Sequence, residues 1–340
     1  MIILRLILLL FSSTLFAQKT VNVYVWGGEI PKQVVQQFEK KTGIKVNFST
    51  YDSNETMVAK IKASGRSIYD VILPSAYYVE RMQHLGLLSP LDHQYLPNLK
   101  YLDKRFTKYQ YDVNNQYSVP LIWGATGIFY NQDWVKIAPK SFGDLWNSRW
   151  KNQLMFLDDP RDTFAIALLA LSYSPNDRKT QHIHQAFEKL LDLMTNIKIF
   201  ASESIQAIMI DEDAIAGTAW NGDAYKAHQE NPAVQFVYPS DGFVIWIDCL
   251  AIPINPPHPK EAYAFINFLL EPTIAAEIGL MEGHAITNAF GKALLPKSVQ
   301  KNPMIYPDAE TLERGYVQQD VGEDAARLYN QYWQQLKLSK

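Results

Sequence analysis

Apolar runs rich in β-branched and aromatic residues alternate along the chain with amphipathic stretches, and each kind predicts an element. TVNVYVW (20–26), KVNFSTY (45–51) and YDVILPS (69–75) predict strands. Between them, Pro31 opens a helix that runs through QVVQQFEKK and closes at Gly43. Asp52 with Glu55 predicts a capping box for the helix ETMVAKIKA (55–63), and YYVERMQHLG (77–86) predicts a third helix. Such alternation gives a parallel, doubly wound sheet. YSVPLIWGATGIFYN (117–131) is a longer extended segment with no helix between its halves, suited to crossing from one domain to another.

A second α/β set follows. QLMFLDD (153–159), AIAGTAW (214–220) and VQFVYP (234–239) predict strands, and FAIALLALS (164–172) and HIHQAFEKLLDLM (182–194) predict helices. After residue 253 come helices over PKEAYAFINFLL (259–270), IAAEIGLM (274–281) and EDAARLYNQYWQQLKL (323–338), the last with an aromatic stripe. The chain shows no internal repeat, low-complexity stretch or flexible linker. Two lobes joined by extended crossings suit a hinged ligand-binding architecture.

One strand poses a chemical question. FVIWIDCLAIP (243–253) reads as buried and crosses back between the lobes, yet it carries Asp248. A carboxylate inside an apolar strand needs a cation: an arginine of the same chain, a metal or a ligand.

Composition narrows the classes. At 340 residues with 47% hydrophobic and 20% charged residues, the chain is globular and long enough for two domains. A formal charge of −3 and the lack of a long basic run argue against nucleic acid as a partner. Eight Trp and nineteen Tyr are enough to line a pocket as well as fill a core. MIILRLILLLFSSTLFA (1–17) reads as a secretory signal peptide cut near Ala17–Gln18, its apolar run being short for a membrane span. Cys249, the single cysteine, reads as a buried inert thiol.

The candidate chemistry lies at strand ends. DDPRD (158–162) reads either as a ligand-binding acid group or as a helix start with Arg161 pairing one of the acids. Trp26, Ser75, Tyr77 and Trp220 also fall at strand ends and suggest a cleft lined by rings. His182 and His184 diverge on a helix, so a metal there is not expected, and neighbouring Tyr77 and Tyr78 lack a His or Glu partner for ferric iron. No GxSxG, HExxH, P-loop or GxGxxG motif is present. A secreted hydrolase using the Asp group remains a distant alternative.

The motifs together carry a resemblance. FEKKTGIKV (38–46), YDSNETM (51–57), YDVILPSAYYV (69–79), YSVPLIWGATGI (117–128), AWNG (219–222), WIDCLAIP (246–253), INFLLEP (266–272), YPDAET (306–311) and DVG (320–322) span almost all of the chain after the leader. In them the chain resembles the periplasmic spermidine/putrescine-binding proteins of polyamine ABC transporters. The resemblance implies a type II periplasmic binding fold: two doubly wound α/β lobes, residues 18–124 plus 247–292 and residues 125–246 plus 293–340, joined by crossing strands around a cleft. It implies a monomeric periplasmic receptor, not an enzyme, without cofactor or metal. Its partners would be a polyamine and an inner-membrane ABC permease.

The family's ligand residues fall on Trp26, Ser75, Tyr77, Asp159, Asp162, Trp220, Trp246, Asp248 and Gln318. Asp248 would then await a ligand amine. Three positions depart from the family pattern: WGGE (26–29) has Gly27 in place of a hydroxyl residue and Glu29 in place of a tyrosine, and His284 stands at a late aromatic. Glu29 either faces the cleft as a further acid or merely begins the helix at Pro31. A receptor for another cationic amine, or a sensory role, stays open beside the transport reading.

Overall fold

The computed structural model describes residues 18–63 and 67–339; the leader expected over residues 1–17 lies outside the described residues. The chain first builds β1 (Thr20–Trp26), α1 (Lys32–Thr42), β2 (Lys45–Tyr51), α2 (Asn54–Ala63), β3 (Val71–Ile72) and α3 (Ala76–His84). After 3₁₀ turns between residues 93 and 115 comes the long strand β4 (Ser118–Asn131). The middle holds β5 (Leu154–Leu157), α4 (Pro160–Ala170), α5 (Thr180–Leu193), β6 (Ile197–Ala201), α6 (Ile205–Ile210), β7 (Ala216–Trp220), α7 (Asn221–Glu230), β8 (Val234–Val237) and β9 (Phe243–Ala251). The last part adds α8 (Pro259–Leu269), α9 (Pro272–Glu282), β10 (Ala285–Ile286), α10 (Ala289–Leu294), α11 (Lys297–Gln300), α12 (Ala309–Leu312), β11 (Gly315–Val317) and α13 (Glu323–Leu338).

The strands form one sheet in the order β2-β1-β3-β9-β4-β7-β5-β6, with β10 and β8 on β4 and β11 on β9. Its two flanks are parallel: β1 with β2 and β3 on one side, β5 with β6 and β7 on the other. Its centre is antiparallel, because β9 runs against both β3 and β4, and β4 against β7. The sheet of each lobe is therefore mixed rather than wholly parallel. The reason is the crossing itself: a chain that goes over on one strand and returns on its neighbour lays the two antiparallel. Helices α1, α8 and α9 cover the first flank, and α4, α5, α7 and α13 the second. The core is continuous beneath both, with Phe38, Phe265, Phe164, Phe243 and Tyr329 among its largest wholly buried side chains.

Local sequence explains most elements. Gly43 closes α1 in the left-handed region at φ 71°, as a helix C-cap glycine does readily.

 Glycine bears that conformation without the strain an L side chain would meet there. The α2 cap differs from the expected one. Ser53, not Asp52, takes the N-cap position, its Oγ accepting from the Thr56 amide at 3.2 Å. Asp52 instead lines the cleft. The third strand is also shorter than YDVILPS. Only Val71 and Ile72 enter the ladder, because Pro74 has no N–H to donate, although its carbonyl accepts from the Cys249 amide at 2.9 Å. Among the described residues no single helix is long and apolar enough to cross a membrane.

The centre of the sheet positions the site. Ser118–Thr126 of β4 pairs with Ala251–Val244 of β9, and the register slips between Pro120 and Ile122. The slip leaves Leu121 unpaired as a bulge, and Thr287 caps it, its hydroxyl lying 2.6 Å from the Pro120 carbonyl and 3.0 Å from that of Leu121. Directly opposite Ile122 stands Asp248.

Candidate functional site

On β9 the two-residue strand period sends Trp246 and Asp248 to the same face, while Ile247 and Cys249 turn into the core. That face is the floor of a cleft of about 820 Å³ between the lobes. Gly124, opposite Trp246, leaves the space in which the indole lies: a β-carbon there would come within 2.2 Å of Trp246 Cζ2. All eleven residues singled out from the sequence reach the wall of this cleft: Trp26, Glu29, Ser75, Tyr77, Asp159, Asp162, Trp220, Trp246, Asp248, His284 and Gln318.

Asp248 is buried, and no arginine among the described residues pairs with it. Among the described residues its one side-chain hydrogen-bond partner is Ser75, whose Oγ donates to Oδ1 at 2.7 Å. Ser75 sits at the N-cap of α3 but leaves that helix end uncapped, its hydroxyl being turned to the acid. Asn54 holds Ser75 in turn, accepting from its amide at 3.2 Å and donating to its Oγ at 3.2 Å. Burial pushes Asp248 up to about 7; the Ser75 hydroxyl pulls it back down, and the charge of Asp162 adds to the rise. One hydroxyl is a thin substitute for water around a carboxylate.

The DDPRD segment serves as helix start and cleft wall at once. Asp159 is the N-cap of α4, accepting from the Asp162 amide at 2.8 Å, with Pro160 at the first helical position. Asp162 Oδ2 accepts from Trp220 Nε1 at 3.0 Å and Thr126 Oγ1 at 3.1 Å, and its Oδ1 from Gln318 Nε2 at 3.1 Å. The acids thus sit at the positive end of a helix, which favours their charge. Burial still dominates: it raises both, Asp159 to about 7 with help from the Asp162 charge. Arg161 does not pair them. Its guanidinium turns to the Gln319 carbonyl and the Asn176 side chain and lies over the Tyr77 and Tyr329 rings at 5.2 and 5.5 Å. Asp158 faces away and pairs with Lys337.

Glu29 faces the cleft. Helix α1 begins at Lys32 with no acid in its first turn. Burial raises Glu29 well above the ordinary carboxyl range, and Asp248, Asp223 and Glu282 raise it further. Its Oε2 lies 3.8 Å from His284 Nε2, beyond hydrogen-bond reach. Burial, then Lys226, pushes His284 down to about 4, so the imidazole is neutral at pH 7 and the contact is no ion pair. His284 meets Trp246 edge-on, 5.6 Å between centroids.

The remaining walls are aromatic. Trp26 lies against Tyr51 at 4.7 Å, Tyr51 against Tyr24 at 4.9 Å, and the Tyr51 hydroxyl donates to the Leu73 carbonyl at 2.6 Å. Among the described residues the indole N–H groups of Trp26 and Trp246 find no hydrogen-bond partner. Eight acids line the cleft: Glu29, Asp52, Asp159, Asp162, Glu203, Asp223, Asp248 and Glu282. Lys226 is the one lysine or arginine beside them among the described residues.

Several of these residues were not singled out from the sequence. Asn54, Tyr51 and Asp52 stand inside YDSNETM, Asp223 follows AWNG, and Glu282 lies two residues before His284. All but Glu282 lay in or directly after a recognised motif, and that adjacency was the one available signal. His182 and His184 are placed elsewhere: His182 stacks on Tyr173 at 3.9 Å and contacts Asp177 at 2.7 Å, while His184 contacts Tyr332 at 3.1 Å. Among the described residues no group of three or more His, Cys, Asp or Glu is placed to hold a metal ion. Cys249 is buried, and burial pushes its thiol well up.

A two-lobed α/β fold with an acid- and ring-lined cleft at its crossing strands defines a binding protein, and the chain belongs to the bacterial extracellular solute-binding proteins, whose family model matches residues 33–307. That family consists of receptors rather than enzymes. Its relatives are specific. The chain is 40% identical over 324 residues to the spermidine/putrescine-binding periplasmic protein of Salmonella typhimurium, covering 94% of this chain and 92% of the relative. It is 40% identical over 331 residues to spermidine/putrescine-binding periplasmic protein 1 of Haemophilus influenzae, covering 97% and 92%. Among solved structures, a putative spermidine/putrescine ABC transporter from Listeria monocytogenes matches with a TM-score of 0.92 at 35% identity, covering 95% of this chain and 100% of that one.

Proposed function

We propose that the protein is a periplasmic receptor that captures a linear polyamine, spermidine or putrescine, by closing its lobes and delivers it to an inner-membrane ABC permease. The observation that carries this reading is the charge of the cleft: eight acids, three of them on or beside buried hydrogen-bond networks, against one lysine. Such a cavity favours a ligand that brings several positive charges of its own. The indole and phenol faces suit the methylene spacers and add cation–π attraction of about 0.5–2 kcal/mol per ammonium. The names of the relatives point the same way.

In this reading Asp248, Asp159, Asp162 and Glu29 meet ammonium groups. Trp26, Tyr77, Trp220 and Trp246 flank the chain of the ligand, Ser75 and Gln318 hold the acids in place, and His284 closes one wall. The moving bodies are residues 18–124 plus 247–292 and residues 125–246 plus 293–340. The working form is a monomer released by cleavage after Ala17. The test is calorimetry of the purified protein with spermidine, putrescine, a neutral sugar and a divalent metal, alongside small-angle scattering. Spermidine or putrescine should bind in the micromolar range or tighter and make the protein more compact. Tight binding of the sugar or metal with none of either amine would overturn the reading.

A further inference from the structure

One end of the cleft already contains a primary ammonium. Lys226 stands in the second turn of α7, and its Nζ lies 3.4 Å from Glu282 Oε2. Its stem lies against Gly283: a β-carbon at residue 283 would come within 2.9 Å of Lys226 Cγ and 3.1 Å of Cδ. The bare backbone at Gly283, in the left-handed region at φ 77°, is what lets the stem pass. One helical turn earlier, Asp223 accepts from Gln206 Nε2 at 2.8 Å. Lys226, Glu29, Asp223, Glu282 and His284 line the same cleft, and the Lys226 charge opposes the rise of the three acids and helps to depress His284.

A lysine side chain ends as a polyamine ends, in an ammonium on a run of methylenes. We propose that Lys226 fills the last cation position of the acid array with the protein's own ammonium, and so sets the greatest number of ligand ammonium groups the cleft accepts. The inference rests on the polyamine reading. A diamine or triamine leaves the acids at this end to Lys226, so none is stranded when the lobes close. A tetraamine brings a further charge to a place already occupied by a like charge, which discriminates against it.

The experiment is competition calorimetry of putrescine, spermidine and spermine on the native protein and on three variants. The native protein should hold the triamine more tightly than the tetraamine. Lys226→Met keeps most of the apolar stem and removes the charge, and should raise the spermine-to-spermidine affinity ratio about tenfold. Lys226→Gln is a second neutral variant, should the first fold poorly, with the same expectation. Lys226→Arg keeps the charge and should keep the native ratio. A ratio within about twofold of native in the neutral variants overturns the inference, as does native preference for spermine. In both cases spermidine binding by the native protein leaves the receptor reading standing. A native protein that binds no amine overturns both.

Discussion

Lowering the pH should empty the cleft, by an amount that follows from two carboxyl groups. Asp248 and Asp159 both titrate near 7 in the ligand-free protein, raised chiefly by burial. An ammonium ligand favours the ionised form, so binding pulls both downward and releases their protons. At pH 8 about nine-tenths of each group is ionised, and at pH 6 about one-tenth. If both must ionise, affinity falls up to about 100-fold between pH 8 and pH 6. Putrescine is the ligand of choice, since primary amines stay charged throughout that range. Titration in two buffers of different ionisation enthalpy should count close to two protons released at pH 6 and few at pH 8. The sign for stability runs the other way. A carboxyl whose folded pKa is raised adds no penalty below about pH 4, and destabilises the ligand-free fold as pH rises towards 7. The melting temperature without ligand should therefore fall from pH 5 to pH 8. Affinity that is flat from pH 6 to 8, with no proton release, would refute the role given to these acids.

Three substitutions extend the test. Asp248→Asn should weaken polyamine binding by about 3–5 kcal/mol, and at pH 8 the ligand-free variant should melt no lower than native; near-native affinity by calorimetry would sink the assignment. Glu29→Gln should lose more affinity for spermidine than for putrescine, because a triamine has the additional ammonium to place; equal losses would return Glu29 to a structural role. Gly124→Ala should displace the Trp246 indole, destabilise the fold by about 1–3 kcal/mol and alter ligand-induced tryptophan fluorescence; an unchanged melting temperature and spectrum would show that the close approach is relaxed at no cost.

The strands and helices that were legible in the sequence had a clear period or clear ends. β1, β2 and α13 lie where TVNVYVW, KVNFSTY and EDAARLYNQYWQQLKL place them. β6, α6 and α7 did not announce themselves: IKIFA and IQAIMI are short, and NGDAYKAHQE opens on Asn-Gly with little apolar periodicity. That omission hid Asp223 and Lys226, since a residue on an unforeseen helix cannot be aimed at a cleft. The cost of Asp248 was visible from its apolar neighbours alone, but its tie to Ser75 joins residues 173 apart and depends on the β3–β9 pairing. Gln318 came only from the family pattern. The two meanings of DDPRD were physically compatible, because a helix N-terminus that faces a cleft stabilises the same carboxylates that line it.

The place of β9 in the sheet also has a kinetic side. β1, β2 and β3 are close together in the chain, and Ile72 pairs with Tyr24 on one side, but its partner on the other side is the distant Ala251. A chain that emerges N-terminus first from a ribosome or an export pore displays β3 with an open edge until β9 appears. Open edges invite mispairing, and distant pairings are slow to form. The keystone of the sheet is thus the last of its central strands to be made.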